Sequence, residues 1–180
     1  MKVLLIAPQP FYEDRGTPIS VELLARALCD RGDTVDILTT HLGEDRVFPG
    51  FRILRVTPPF APKRLPPGLS LAKMYCDVFM LLRCLRIARR PRYDIVHAVE
   101  ESSFMAWVAN LLGGPPYVVD IDSSMTTQII DGQRWLRWAE RFLSWLEGVP
   151  LRRAVAAVPM CEALAEPARS LCRGETAVIP

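Results

Sequence analysis

Three short clusters hold the side chains able to do chemistry. Glu13, Asp14, Arg15, Gly16 and Thr17 form the first, His97, Glu100, Glu101 and Ser102 the second, and Asp122, Ser123 and Ser124 the third. Carboxylates and hydroxyls of this kind can line a polar ligand cleft. A glycine at a helix start lets backbone N–H groups approach a phosphate, helped by the helix dipole. Each residue also has a plainer reading. Gly16-Thr17 fits an ordinary turn, His97 a half-buried strand histidine, Glu100 and Glu101 helix-capping acids, and Asp122 an N-cap. The GxGxxG fingerprint, the P-loop and any metal-ligand spacing are missing from the sequence. That disfavours a nucleotide-dependent oxidoreductase and gives no metal site and no resident cofactor.

Each cluster follows an apolar run. Lys2-Val3-Leu4-Leu5-Ile6-Ala7 is unbroken, the signature of a strand buried on both faces of a parallel sheet. Beyond the loop, Thr17 reads as an N-cap and Pro18 as the first helical residue, with Val21, Leu24, Ala25 and Leu28 forming one apolar stripe. Gly32 reads as the helix C-terminal cap, and a second strand runs from Thr34 to Leu38. A polar stretch, His41 to Gly50, leads to a third strand, Phe51–Val56. Between Thr57 and Gly68 lie Pro58, Pro59, Pro62, Pro66 and Pro67, a density that only an exposed loop tolerates.

A long helix is expected from Leu69 to Arg90, stopped by Pro91. Leu71, Tyr75, Val78, Leu82 and Leu85 line one face of it, and Arg83, Arg86 and Arg90 another. Asp94–Val99 reads as the fourth strand, Ser102–Leu112 as a helix, and Tyr117–Ile121 as the fifth strand. Asp122-Ser123-Ser124 is a strand-to-helix turn rich in capping residues. A helix near Arg134–Glu147 spaces Trp135, Trp138, Ala139, Phe142 and Trp145 as core, with Arg134, Arg137 and Arg141 on a separate row. Ala154–Val158 is a sixth strand, Cys161–Leu171 a helix, and Thr176–Pro180 a seventh strand. The alternation predicts one Rossmann-like α/β domain over residues 1–180. Its sheet is doubly wound and mostly parallel, of about seven strands, with helices on both faces. In such a sheet, ligands bind beyond the carboxyl ends of the strands, where the three clusters gather.

Bulk properties agree. At 180 residues and 50% hydrophobic content the chain can build one substantial core. A net charge of +2 gives no reason to expect nucleic acid. The five cysteines form no CxxC pair and read as small buried hydrophobes of a reducing cytosol. With neither a signal peptide nor a membrane-length apolar run, the expected location is cytoplasmic.

The residues also carry a resemblance. Met1–Ile6, Arg15-Gly16-Thr17-Pro18, Leu23–Leu28 and Arg31–Val35 are similar to the opening of the group 1 (family GT4) glycosyltransferases. Tyr93–Ala98 resembles that family's tyrosine-aspartate-histidine strand, and Val118–Ser124 its next strand and turn. Leu151–Val158 with Cys161–Leu164 resembles a further segment of that family, and the closing Val178-Ile179-Pro180 the one that leads into its second domain.

The resemblance implies the acceptor-side, amino-terminal half of a two-domain GT-B enzyme whose carboxy-terminal donor half lies outside this sequence. The enzyme would be a retaining, metal-independent transferase, moving a sugar from a UDP- or GDP-linked donor to a glycan or lipid-linked acceptor. By that resemblance Gly16 and Thr17 meet the donor diphosphate, while Arg15, His97, Glu100, Glu101, Asp122 and Ser123 line the acceptor or sugar pocket. His97 and Asp122 are the catalytic candidates. The family often has histidine where Asp122 and Val99 stand; a carboxylate at 122 bonds a sugar hydroxyl but cannot act as an imidazole. The expected partner is a carboxy-terminal GT-B domain, in cis or in trans. The alternative is a non-catalytic or split-enzyme subunit docking on a separate donor-binding chain. Lys63, Arg64, Arg83, Arg86, Arg90 and Arg92 beside the Pro-rich loop suggest peripheral contact with anionic lipid on the inner face of the membrane, or else a solvated basic face.

Overall fold

The computed structural model describes residues 1–46, 49–66, 70–89 and 92–179. Seven strands alternate with helices: β1 Lys2–Ala7, α1 Gly16–Asp30, β2 Thr34–Thr40, β3 Phe51–Val56, α2 Leu71–Ile87, β4 Ile95–Val99, α3 Ser102–Leu111 and β5 Tyr117–Ile121. Then follow α4 Met125–Gly132, a 3-10 helix Arg134–Ala139, α5 Glu140–Leu151, β6 Ala156–Pro159, α6 Glu162–Leu171 and β7 Glu175–Thr176. The strands form one sheet in the order β3-β2-β1-β4-β5-β6-β7, and every pairing is parallel. Leu69, Arg90, Pro91 and Pro180, expected at helix and strand ends, lie outside the described residues.

Two apolar layers hold the sheet. Val3, Leu5, Val35, Ile37 and Phe51 pack with Val21 and Ala25 of α1 on one face. Leu4, Ile6, Val96, Ala98, Tyr117 and Val119 pack on the other against Met80 and Cys84 of α2, Met105 and Ala106 of α3, and Ala168 of α6. Both faces of β1 are therefore covered, which is why its sequence is apolar without alternation. Chain direction explains the split: the step from β1 to β2 runs one way along the sheet, and the later helical crossovers run the other way.

Local signals set the helix ends. At the close of α1, Gly32 has φ +92°, and Asp33 N–H and Gly32 N–H donate to the carbonyls of Leu28 and Cys29, a Schellman motif. At its start the N-cap is Arg15, in extended conformation, and not the expected Thr17. Ile19 N–H donates back to Arg15 O at 3.1 Å, so Gly16 is the first helical residue and Pro18 sits in the first turn.

Two helix faces differ from expectation. On α2 the buried side is Cys76, Met80, Cys84 and Ile87, whereas Leu71, Val78 and Leu82 are exposed, Leu71 at 85%. Two apolar stripes compete on this helix, and the one bearing smaller residues packs closely under α3. The tryptophan row is also outside the core: Trp135 is 69% and Trp138 79% exposed, with Phe142 and Trp145 alongside. Its first turns are 3-10, whose three-residue repeat stacks Trp135 over Trp138 on one outward line while Ala139 takes the buried side. Among the cysteines Cys76 and Cys84 are buried, Cys29 and Cys172 half-buried, and Cys161 exposed.

Candidate functional site

The strand order reverses direction between β1 and β4, and beyond their carboxyl ends lies a cleft of about 390 Å³. This is where open α/β sheets bind ligands. Its walls come from four segments: the β1–α1 loop, the first turn of α1, the start of α2 and the β4–α3 turn, closed on one side by Met125, Gln128 and Ile129 of α4. Arg15, Gly16 and Thr17 line it, as do Glu100 and Glu101, together with Glu13. Around Gly16 an added Cβ would meet no atom within 4 Å, so the positive end of α1 opens onto free space.

Glu100 is the most constrained side chain of the cleft. Its φ of +51° lies in the left-handed region, which costs a non-glycine residue on the order of 1 kcal/mol or more. Its N–H donates to Asp120 O at 3.0 Å, which holds that turn. One carboxylate oxygen accepts from the Gln9 amide, the other from the Ser123 hydroxyl at 3.2 Å. Burial, then the charges of Glu101 and Asp122, push its pKa up to about 7.

Beside it, Lys73 at the start of α2 pairs with Glu101 and lies 3.5 Å from Asp77. Burial works against the Lys73 charge, but the two carboxylates outweigh it and raise its pKa. Asp77 is driven up to about 6 by burial, against the pull of Lys73. Asp77 Oδ1 and Gln9 Oε1 are buried without a hydrogen-bond partner among the described residues. Both belong to residues lining the cleft, so unused acceptor capacity lies in its wall, just beneath the surface.

The other expected residues sit differently. His97 is 12% exposed at its side chain, and its Nε2 lies 3.1 Å from Asp120 Oδ2 on the neighbouring strand. Asp122 is pushed upward by burial and by Asp120, while a hydrogen bond from Thr17 pulls the other way. Neither His97 nor Asp122 lines the cleft; Asp122 reaches it through its hydrogen bond with Thr17, and His97 acts on Asp122 by charge. Ser123 joins the cleft indirectly, through Glu100 and through Gln128, whose amide donates to it at 2.6 Å. Ser102 is wholly buried, and its hydroxyl donates to the carbonyls of Ile6 and Val99, so it ties β1 to α3 rather than facing a ligand.

The plainer readings of two residues are not realised. The N-cap of α4 is Ser124, whose hydroxyl accepts from Thr127 N–H at 3.2 Å, so Asp122 is no cap. Glu101 holds the N-cap position of α3 without a side-chain cap bond, and pairs with Lys73 instead. Sequence reading missed Gln9, Lys73, Asp77 and Gln128. The i,i+4 spacing of Lys73 and Asp77 just after the Pro-rich loop was the available signal for two of them.

The sequence profile of the glycosyl transferase 4-like domain matches residues 15–180. The chain belongs to the glycosyl transferase 4-like domain family. Among curated proteins none matches the chain. Sucrose-phosphate synthase from Thermosynechococcus elongatus is similar in fold, with a TM-score of 0.70 at 18% identity, over 99% of this chain and 47% of that one. A UGT transferase from Siraitia grosvenorii in complex with UDP matches with a TM-score of 0.59 at 12% identity, over 99% of this chain and 50% of its own. A UGT from Glycyrrhiza uralensis, complexed with glycyrrhetinic acid 3-O-monoglucuronide, matches at 0.62 and 15% identity, over 99% and 48%. The glycosyl transferase 4-like domain thus has the fold of one Rossmann-like half of a GT-B glycosyltransferase, and spans about half the length of these structures.

Proposed function

We propose that this domain is the acceptor-side half of a retaining glycosyltransferase. The enzyme moves a sugar from a UDP- or GDP-linked donor to a glycan or lipid-linked acceptor. The observation that carries this is the cleft at the β1–β4 switch point, with the open amino end of α1 on one wall and the acceptors of Glu100, Asp77 and Gln9 on the other. Backbone N–H groups at Gly16 and Thr17 would meet the donor diphosphate, and Arg15 adds a positive charge beside them. Glu100, with Gln9 and Ser123 fixing it, would receive an acceptor hydroxyl. Asp122, through Thr17, and His97, through Asp122, act as positioning residues. Transfer also needs stabilisation of the leaving diphosphate from the opposite half, a carboxy-terminal GT-B domain in cis or in trans.

The test is transfer by the natural full-length product with a panel of UDP- and GDP-sugars and lipid or glycan acceptors. NMR reads the anomer formed. An anomer matching that of the donor is expected; an inverted product overturns the retaining reading, and no transfer with any donor overturns the function.

Two surface features extend the reading. Phe60 is 99% exposed beside Lys63 and Arg64, and the outward Leu71, Val78 and Leu82 of α2 adjoin Arg83 and Arg86. This supports peripheral contact with anionic lipid at the inner face of the cytoplasmic membrane. No helix among the described residues is long and apolar enough to cross a membrane. The exposed Trp135, Trp138, Phe142 and Trp145 favour the second reading, docking on a separate donor-binding chain. A monodisperse monomer that captures no such chain would count against it.

A further inference from the structure

Beside the cleft a second chamber of about 210 Å³ opens to the surface between β5, α3, α5 and α6. Its two ends differ in chemistry. The inner end is built from Phe104, Val119, Ile121, Leu151, Leu164 and Leu171. The outer end carries Glu100, Glu101, Ser123, Ser124 and Glu147. Glu100, Glu101 and Met125 line both this chamber and the cleft, so the two spaces meet at one wall.

Close packing of the surrounding helices fixes the walls of this opening. Local packing helps to maintain it. Gly148 of α5 leaves room for Leu171, since a Cβ there would come within 2.8 Å of Leu171 Cδ1. Glu147 is tied to the start of α4, accepting from Met125 N–H at 2.7 Å and the Thr126 hydroxyl at 2.6 Å. Those bonds satisfy the Glu147 carboxylate, so it does not demand a cation. An apolar cavity of about 150 Å³ holds one benzene, so 210 Å³ takes a group of about eight carbons.

We propose that the chamber is a subsite for the apolar part of an amphipathic acceptor, an aliphatic or aromatic group of about eight carbons. The acceptor's hydroxyl end lies at Glu100, where chamber and cleft meet. Apolar burial supplies affinity, while the Glu100 carboxylate, fixed by Gln9 and Ser123, orients the hydroxyl toward the cleft. The acceptor role rests on the glycosyltransferase reading; the binding of an apolar group does not.

The test is titration of the chain with a 1-alkanol series from butanol to decanol, followed by calorimetry and methyl NMR. Affinity is expected to rise about fourfold per added methylene, levelling near octanol as the chamber fills. Val119→Phe fills the inner end, and Ala168→Leu is a smaller filling variant should the first fail to fold. Either should weaken octanol binding by about tenfold or more. A flat series, or folded filling variants that bind octanol as the parent does, overturns the chamber. If alkanols bind but the full-length product transfers no sugar, the chamber stands and the glycosyltransferase reading falls. If sugar is transferred equally to acceptors with and without an apolar tail, the reading stands and the acceptor subsite falls.

Discussion

His97 Nε2 and Asp120 Oδ2 stand 3.1 Å apart across two neighbouring parallel strands, β4 and β5, both largely shielded from solvent. Removing the imidazole leaves a half-buried carboxylate without that partner. His97→Ala should therefore cost about 1–3 kcal/mol of stability. With Asp120→Asn and the double variant it should show a coupling of about 0.5–3 kcal/mol. Urea unfolding of the four chains measures this, and additive losses would mean the pair does not form in solution.

Glu100 titrates near 7 and Asp77 near 6, both above their ordinary values of 4.5 and 3.8. The folded chain then holds these protons more tightly than the unfolded chain does. Their stabilising contribution is complete below the ordinary values and is lost as pH rises through 6 and 7. Thermal unfolding should show stability falling across that interval. Glu100→Gln should flatten the fall and leave the protein more stable by about 1–3 kcal/mol at pH 8. An unchanged profile in that variant would contradict the placement of Glu100.

Gly16 begins α1 without positive φ and with empty space around it. Gly16→Ala should be tolerated and should raise stability by about 0.5 kcal/mol through the unfolded state. A larger side chain projects into the space where the diphosphate would lie. Gly16→Leu should weaken UDP or GDP binding by about tenfold or more while the melting temperature holds. Calorimetry on the full-length product reads the first, and differential scanning the second.

The outward tryptophans make an optical prediction. Trp135 and Trp138 should emit at the red, water-exposed end of the range, be quenched freely by iodide, and cost less than about 1 kcal/mol when changed to serine. Met80→Ala, under the sheet, should cost about 2–5 kcal/mol, whereas Val78→Ser on the outward face of α2 should cost little. Equal losses at positions 78 and 80 would reverse the assignment of that helix.

Those two helices show where the sequence was readable and where it was not. The run at 2–7 was legible because a strand covered on both faces needs apolar side chains throughout, and those at 34–38 and 117–121 because short apolar stretches alternate with helices. Periodicity on α2 and along the tryptophan row found apolar stripes but could not say which one turns inward. That depends on the fit of Met80 and Cys84 against α3, and on a 3-10 turn at Arg134–Ala139. In the cleft, Glu100 and Glu101 were legible because they directly follow a strand end, and Gly16 and Thr17 because they open a helix after the first strand's loop. Lys73 and Asp77 were not, because their i,i+4 spacing marks a pair but not the place in the fold to which α2 brings it. The α4 helix was also missed: only eight residues long, it is too short for a period to show.

The place of β1 in the sheet has a consequence for biosynthesis. β1 is made before both of its partners, residues 34–39 on one side and 95–98 on the other. At about 5–20 residues per second, its second edge waits several seconds for a partner. During that interval Val3 to Ala7, the most apolar segment of the sheet, is an open edge of the kind that recruits strands from other chains. Pausing before Val99, or a nascent-chain chaperone that covers β1, would then decide how much of the protein reaches its native state.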